Sequence, residues 1–364
     1  MKLLFCPERA VGLVMLLIVS LLPAVGLAEQ VDNLYQGREL VASQSQRDLL
    51  KATSQGLRTV LIRVSGHSSV VDNAGAKAAV QKPKPFLNQY SYERIRDPET
   101  NQEHLFVSLD FDQDLVDQLL RREGLPLWPS NRPAVLVWMV MADSEGRHFV
   151  SADSDPALIA ALRAQAERRG LAIKLPLLDL EDNIAIRPDE LWQLNPWSAK
   201  RAAQRYDADS LLIGRVSKLS NGLLLGNWLF DADGAKWRFD GSMADDQQYM
   251  AEVVDQVADQ LSKKYAIVPV KMAEDGVVIR ISGINDFKDY TRALQYLEGL
   301  VAVRHAVPMT VDGDEMLVRL LADGQLEQLQ RTFMLDGRLK LASPMVGDVR
   351  AIALHYQWPE LQSN

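Results

Sequence analysis

Ser65-Gly66-His67-Ser68-Ser69 sets hydroxyls on both sides of an imidazole. A hydroxyl activated by a neighbouring base is the minimal nucleophile of a hydrolase. In that reading His67 is the base and Ser65 or Ser68 the nucleophile, with an aspartate elsewhere to orient the ring. The plainer reading is a polar loop, because Ser and Gly fill turns for conformational reasons alone. The remaining histidines, His104, His148, His305 and His355, form no pair at a helical metal-binding spacing. Asp110, Asp112 and Asp114 alternate as in a calcium loop, but Leu115 and Arg121 stand where such a loop needs Gly and Glu. Asp112 or Asp114 is therefore expected to cap a helix. Asp179, Glu181, Asp182, Asp189 and Glu190 read as a solvated acidic loop with at most weak divalent binding.

There is no GxGxxG, no Gly-Lys-Ser/Thr and no GxSxG, so no cofactor is expected. Trp128, Trp138, Trp192, Trp197, Trp228 and Trp237 crowd the middle of the chain. Core packing accounts for most such large side chains. Trp228 and Trp237 fall on the two arms of an expected hairpin and could stack across it. Trp192 and Trp197 flank a Gln-Leu-Asn-Pro loop and are the binding candidates, since loops on rigid scaffolds often carry recognition.

The elements that must position these residues follow a compartment signal. Lys2 and Arg9 precede a nearly unbroken apolar run, Val11 to Val25, and Gly26-Leu27-Ala28 supplies small residues before Glu29. This is the anatomy of a signal peptide over residues 1–28, cleaved between Ala28 and Glu29, and it predicts a periplasmic protein. The alternative is an anchor retained from Val11 to Leu27, at the lower edge of spanning length. The sole cysteine, Cys6, precedes the apolar run and does not form a lipid-attachment site. Cleavage leaves a cysteine-free chain, which excludes disulfides, thiol catalysis and cysteine-based zinc sites. The net charge of −8 over 364 residues is a poor match to nucleic acid. No later apolar run approaches the ~18 residues of a membrane span, so the processed chain is expected to be soluble.

Hydrophobic periodicity and breakers divide the processed chain into blocks. Residues 29–128 read as an N-terminal α+β domain. Its helix covers Ser43 to Val64, although Thr59 to Val64 could instead be strand. A hairpin of Tyr90–Ile95 and His104–Phe111 follows, then a helix from Asp112 to Glu123. Residues 131–266 read as a central α/β domain with a mixed sheet. It has a doubly buried strand at Ala134–Met141, a helix at Ala157–Arg169 capped by Asp155 and Gly170, and a short strand at Leu171–Leu175. A helix at Pro196–Tyr206, a strand at Ser210–Val216, a hairpin of Leu223–Phe230 with Lys236–Gly241 and a long helix at Asp245–Tyr265 complete it. Residues 268–343 follow the order βαββαβ, the ferredoxin-like pattern, and 344–364 read as a C-terminal tail. The fold class is therefore α+β / α/β multidomain.

The Leu57–Gly66 run ending in Val-Ser-Gly, the Tyr90–Phe111 hairpin and Leu125-Pro-Leu-Trp128 leading through Arg132-Pro133 to Trp138 resemble a family of secreted gamma-proteobacterial proteins. That family is the domain of unknown function numbered 2066, and the resemblance extends over most of the mature chain. It implies fold and compartment and no assigned activity. The Tyr206–Asp209 junction and the Leu211–Gly214 strand are similar to periplasmic α/β domains of curli-secretion and penicillin-binding-protein-activator lipoproteins. Those relatives carry a lipid anchor, and this chain lacks the cysteine for one.

Together these readings predict a non-enzymatic binding or adaptor protein of the cell envelope, without cofactor or metal. Its partner would be an envelope protein or a peptidoglycan-associated one. The alternative is a cryptic hydrolase built on the Ser65–Ser69 loop.

Overall fold

The computed structural model describes residues 29–96, 101–144, 146–269, 276–322, 326–342 and 354–359. The expected signal segment and most of the expected tail lie outside the described residues. No helix among the described residues is long and apolar enough to cross a membrane.

The N-terminal elements are β1 (Glu29–Gln30), β2 (Gln36–Val41), α1 (Gln46–Ser65), α2 (Ala74–Gln81), β3 (Leu87–Arg96), β4 (Glu103–Phe111) and α3 (Gln113–Arg122). Ser45 caps α1 by accepting the Asp48 N–H, and Gly66 closes it at φ 75°. The ambiguous run Thr59–Val64 therefore completes the helix. β3 and β4 form the expected hairpin, and β2 joins its other side to give the order β2-β4-β3. Val107, Leu109 and Phe111 alternate inward to share a core with Leu57, Val60 and Leu61 of α1 and Leu119 and Leu120 of α3. Asp112 caps α3, accepting the Leu115 N–H at 2.9 Å.

The central elements are β5 (Asn131–Arg132), β6 (Val135–Asp143), β7 (Gly146–Phe149), α4 (Pro156–Arg169), β8 (Ile173–Lys174), α5 (Leu180–Ala185), α6 (Pro188–Trp192), α7 (Pro196–Ala203), β9 (Ser210–Lys218), β10 (Leu224–Ala232), β11 (Ala235–Met243) and α8 (Asp246–Tyr265). β5 pairs antiparallel with β1. The main sheet runs β11-β10-β9-β6-β7, with β8 beside β6. It is mixed, because β6 is parallel to β8 and β9 and antiparallel to β7. β6 is buried on both faces, as its apolar run predicts. Val135, Val137, Met139 and Met141 enter one core with α4 and α8, while Leu136, Trp138 and Val140 enter another with α6 and α7. Three local expectations change. The acidic stretch read as a loop folds into α5 and α6. Asp155 stands at the N-cap of α4 but makes no capping hydrogen bond; its carboxylate meets Ser154 Oγ and His148 Nε2 instead. Trp228 and Trp237 do not stack on each other, because the register sets Trp228 opposite Phe239 and Phe230 opposite Trp237.

The C-terminal elements are β12 (Val277–Ser282), α9 (Phe287–Glu298), β13 (Val303–Asp312), β14 (Glu315–Ala322), α10 (Leu326–Asp336), β15 (Lys340–Leu341) and β16 (Leu354–Gln357). The ferredoxin-like order appears with an insertion: β13-β14-β12-β16-β15. β16, from the segment expected to be a tail, wedges between β12 and β15 and runs parallel to β12. It brings Tyr356 into the core beside Phe333, and Trp358 N–H extends the pairing to Ser282 O at 2.8 Å.

One buried side chain ties the N-terminal and central elements together. Arg132 has no solvent exposure. Its Nε donates to Pro129 O, Nη1 to Arg169 O and Gly170 O, and Nη2 to Arg63 O and Trp128 O, all at 2.8–3.0 Å. Every guanidinium N–H thus meets a backbone carbonyl. Arg63 and Arg169 lie in the last turns of α1 and α4, where carbonyls lack helical partners and carry the negative end of the helix dipole. The guanidinium also stacks on Trp128, 4.1 Å from the ring centroid. Burial, then the nearby Arg63 charge, lowers its pKa to about 9, so it stays charged at neutral pH. Gly170 ends α4 at φ 65°, and a Cβ there would stand 2.6 Å from Arg132 Nη1.

Arg132→Lys keeps the charge but offers a shorter stem and fewer donors. We expect it to lower the unfolding free energy by about 3 kcal/mol, through carbonyls left unpaired in the interior. The reading is a lower urea midpoint; a midpoint equal to that of the parent chain would contradict this role.

Candidate functional site

Between β8 and β9 the chain makes an excursion, residues 175–209, that carries three helices outside the sheet. Each is short, so side-chain ties rather than intrinsic helicity must hold it. Asp179 caps α5 by accepting the Asp182 N–H. Pro188 and Pro196 occupy the first turns of α6 and α7, and Asn195 accepts the Trp197 N–H at 3.0 Å. Asp182, with no exposure, accepts the Leu178 N–H at 2.8 Å, a hydrogen bond from the Tyr206 hydroxyl and one from Arg205 Nη1 at 3.3 Å. Tyr206 in turn accepts the Leu177 N–H at 2.8 Å. Arg205 grips Asp179 with both terminal nitrogens, at 2.7 and 2.9 Å. Arg201 Nη2 reaches Ala185 O and joins α7 to α5.

This inward polar network leaves apolar side chains facing out. Leu177, Leu180, Ile184 and Trp197 are 69%, 76%, 77% and 77% exposed. Leu180 and Ile184 lie one turn apart on α5 and line a shallow hollow with Asp179, Glu181 and Ala185. Residues this apolar, gathered on one excursion, are the candidate interaction surface of the described residues.

The structure separates the two tryptophans expected to bind. Trp197 is free at the start of α7. Trp192 is half-buried and already engaged: the Arg147 and Arg215 guanidiniums lie 4.6 and 5.8 Å from its ring, and its carbonyl accepts from Arg215 Nη1. Arg147 is itself anchored to Asp189 at 2.8 Å. Leu177, Leu180 and Ile184 were not legible as site residues, because the acidic residues around them read as a loop. The Asp179 cap and the prolines at 188 and 196 were the available signals of helices.

The hydroxyl-imidazole loop is placed differently from a nucleophilic pair. Ser65 is fully buried, and its hydroxyl contacts Ile62 O, His67 O and the His67 N–H, all backbone groups. Ser68 is exposed on a single 3-10 turn. His67 is half-buried, and burial lowers its pKa, opposed by Asp259. Among the described residues no hydrogen bond links the His67 ring to Ser65 or Ser68. Gly66 sits where a Cβ would strike Ser262 and Trp128, so its left-handed turn is a packing requirement of the helix junction. No group of three potential metal ligands occurs among the described residues.

A family model described as a domain of unknown function (DUF8605) matches residues 28–129. No curated protein matches the chain. Among solved structures, the LpoB C-terminal domain from Salmonella enterica is similar at 14% identity and a TM-score of 0.22, covering 30% of this chain and 82% of that one. A competence or damage-inducible protein from Enterobacter asburiae shows 12% identity and a TM-score of 0.20, over 36% of this chain and 86% of that one. Competence damage-inducible protein A from Klebsiella pneumoniae shows 18% identity and a TM-score of 0.21, over 41% and 91%.

The Arg205 hydrogen bond, then the Asp182 N–H, hold the Asp179 carboxyl down at about 2. Its folded pKa lies below the ordinary value of ~3.9, so its contribution is complete above that value and is lost as pH falls through about 2. Amide-exchange protection in α5 and α7, corrected for intrinsic rates, should therefore fall between about pH 4 and 2. Asp179→Asn should show lower protection at neutral pH and no such step. A step of equal size in Asp179→Asn would contradict the assignment.

Proposed function

We propose that this chain is an exported, non-enzymatic binding or adaptor protein of the cell envelope. It engages an envelope protein through the outward face of the 175–209 excursion. One observation carries this reading: Leu177, Leu180, Ile184 and Trp197 are held out to solvent by a network whose polar members are satisfied inside. Exposing such side chains forfeits roughly 25 cal/mol for each Å² of apolar surface left wet. A partner that covers them recovers that term. Trp197 supplies the large, rigid anchor that dominates many protein interfaces. Charges at the margin, Glu181 and Asp179 with Arg201 and Arg205, suit a polar rim. Export rests on the basic, apolar and small-residue order of residues 1–28.

A photocrosslinker placed at Trp197 in intact cells should yield one dominant adduct. Leu180→Asp with Ile184→Asp should remove it while leaving thermal unfolding within about 2 °C of the parent, since both side chains are exposed. An adduct unchanged by the double substitution, or robust turnover of an envelope substrate by the purified protein, would overturn the reading.

Export has its own check. Protein recovered by osmotic shock should begin near Glu29. An intact Met1 confined to the membrane pellet would make this a tethered protein instead.

A further inference from the structure

A second candidate site lies on the C-terminal elements and does not depend on the excursion. Between the linker that follows Trp128 and helices α9 and α10 is a cleft of about 810 Å³, within the usual range for small-ligand sites. Tyr296 and Trp358 form one wall, 8% and 5% exposed, with ring centroids 6.0 Å apart. Trp358 Nε1 has no hydrogen-bond partner among the described residues, whereas the Tyr296 hydroxyl is held by the Asp336 carboxylate. Buried polar atoms are nearly always paired, so an unpaired one beside a cleft calls for a partner from outside the chain. An indole N–H can only donate and needs an acceptor.

The charges around the wall narrow the chemistry. Asp336 Oδ1 accepts from Asn131 Nδ2 at 3.4 Å, the same carboxylate meets the Tyr296 hydroxyl, and its Oδ2 lies 3.8 Å from Arg338 Nε. Arg338 is mostly exposed and stands 5.5 Å from the Tyr296 ring centroid. Arg292 lines the same cleft with no hydrogen bond or ion pair among the described residues. Two guanidiniums therefore face one carboxylate, and an anion is favoured. The cleft is bordered by the C-terminal ends of α9 and α10, whose dipoles disfavour anions and a doubly charged one most, so the two guanidiniums must outweigh them. Arg forks match a planar carboxylate in two-point contact. The Asp336 carboxylate, with about four lone-pair sites, retains room to accept a ligand N–H.

We propose that this cleft binds a carboxylate with an adjacent N–H, the chemistry shared by a free amino acid and a peptide C-terminus. The carboxylate meets Trp358 Nε1 and the Arg292 and Arg338 guanidiniums, and the N–H meets Asp336. An apolar side chain of the ligand rests against Leu300 and Val301.

The test follows the Trp358 indole N–H resonance in the full mature protein. The peptide Ala-Ala-Leu should shift it saturably, and the same peptide as its C-terminal amide should bind at least about tenfold more weakly, as expected for a lost hydrogen bond to a charged group. Free leucine binding as tightly as the peptide identifies the amino acid as the ligand source; weaker leucine identifies the peptide terminus. Arg292→Ala should weaken the acid about tenfold without changing thermal unfolding. Trp358→Phe, which keeps the ring packing and is followed by calorimetry because the indole resonance is gone, should weaken acid and amide alike and leave the preference for acid in place. Equal binding of acid and amide, no saturable shift with either, or an equal response to inorganic phosphate would overturn the proposal.

Discussion

A guanidinium wholly closed off from solvent, that of Arg132, decides how the N-terminal and central parts of this protein meet. Burying an isolated charge is prohibitive, and pairing it with a carboxylate is the common remedy. Here the remedy is different. The carbonyls at the C-terminal ends of α1 and α4, with two more from the linker, surround the fork and complete its donors. Two helix ends that would otherwise need water are satisfied by one side chain, and a planar, rigid fork fixes their mutual angle. Nearby guanidiniums add to the same joint: Arg63 reaches Asn33 O and Gln36 O, and Arg169 reaches Gly66 O and both Asp255 and Asp259 of α8. The Leu127–Ile267 backbone pair then carries the connection to the start of the C-terminal elements.

The 175–209 excursion follows from a sheet that is buried on both faces. β6 needs a cover on each side, and α6 and α7 supply the second one with Leu191, Leu194, Ala199 and Ala202. Once these helices are anchored beneath, the polar network of Asp179, Asp182, Arg205 and Tyr206 holds the connecting turns. The excursion is left with Leu177, Leu180, Ile184 and Trp197 in solvent, and with the carboxylates of Asp179 and Glu181 beside Leu180 and Ile184. The proposed recognition role rests on this combination of rigid support and exposed apolar side chains.

The C-terminal sheet shows how a familiar element order is modified by a late strand. Within this sheet β15 is a two-residue strand at the edge, paired with β16. β16 enters beside β12, carries Tyr356 into the core and leaves Trp358 against Tyr296. The cleft exists because of that insertion: without the late strand its indole wall would be missing.

Amphipathic period and capping chemistry were legible in single stretches of sequence. They determined α1, α3, α4, α8 and α9, the β3–β4 and β10–β11 hairpins, and the doubly buried β6. They did so because each signal is local: an i, i+3, i+4 apolar stripe, an Asp or Ser at a cap, a Gly with positive φ. The mixed α and β class followed from the same local signals, and the resemblance to a family of unknown function carried no more than that. What only the tertiary structure decided depends on residues far apart in the chain. Asn131-Arg132-Pro133 looks like a linker, and nothing adjacent shows that the guanidinium will find carbonyls at Arg63 and Arg169. The stretch from Asp179 to Asp189 looks solvated until Arg205 and Tyr206 arrive to hold it as helix. Trp192 and Trp197 look alike in sequence, yet Arg147 and Arg215 close on the first and leave the second open. Ser65 and His67 look like a reactive pair until helix packing turns the serine inward. In each case the deciding term is a hydrogen bond or a burial between distant segments, and local sequence carries no record of which segment will be opposite.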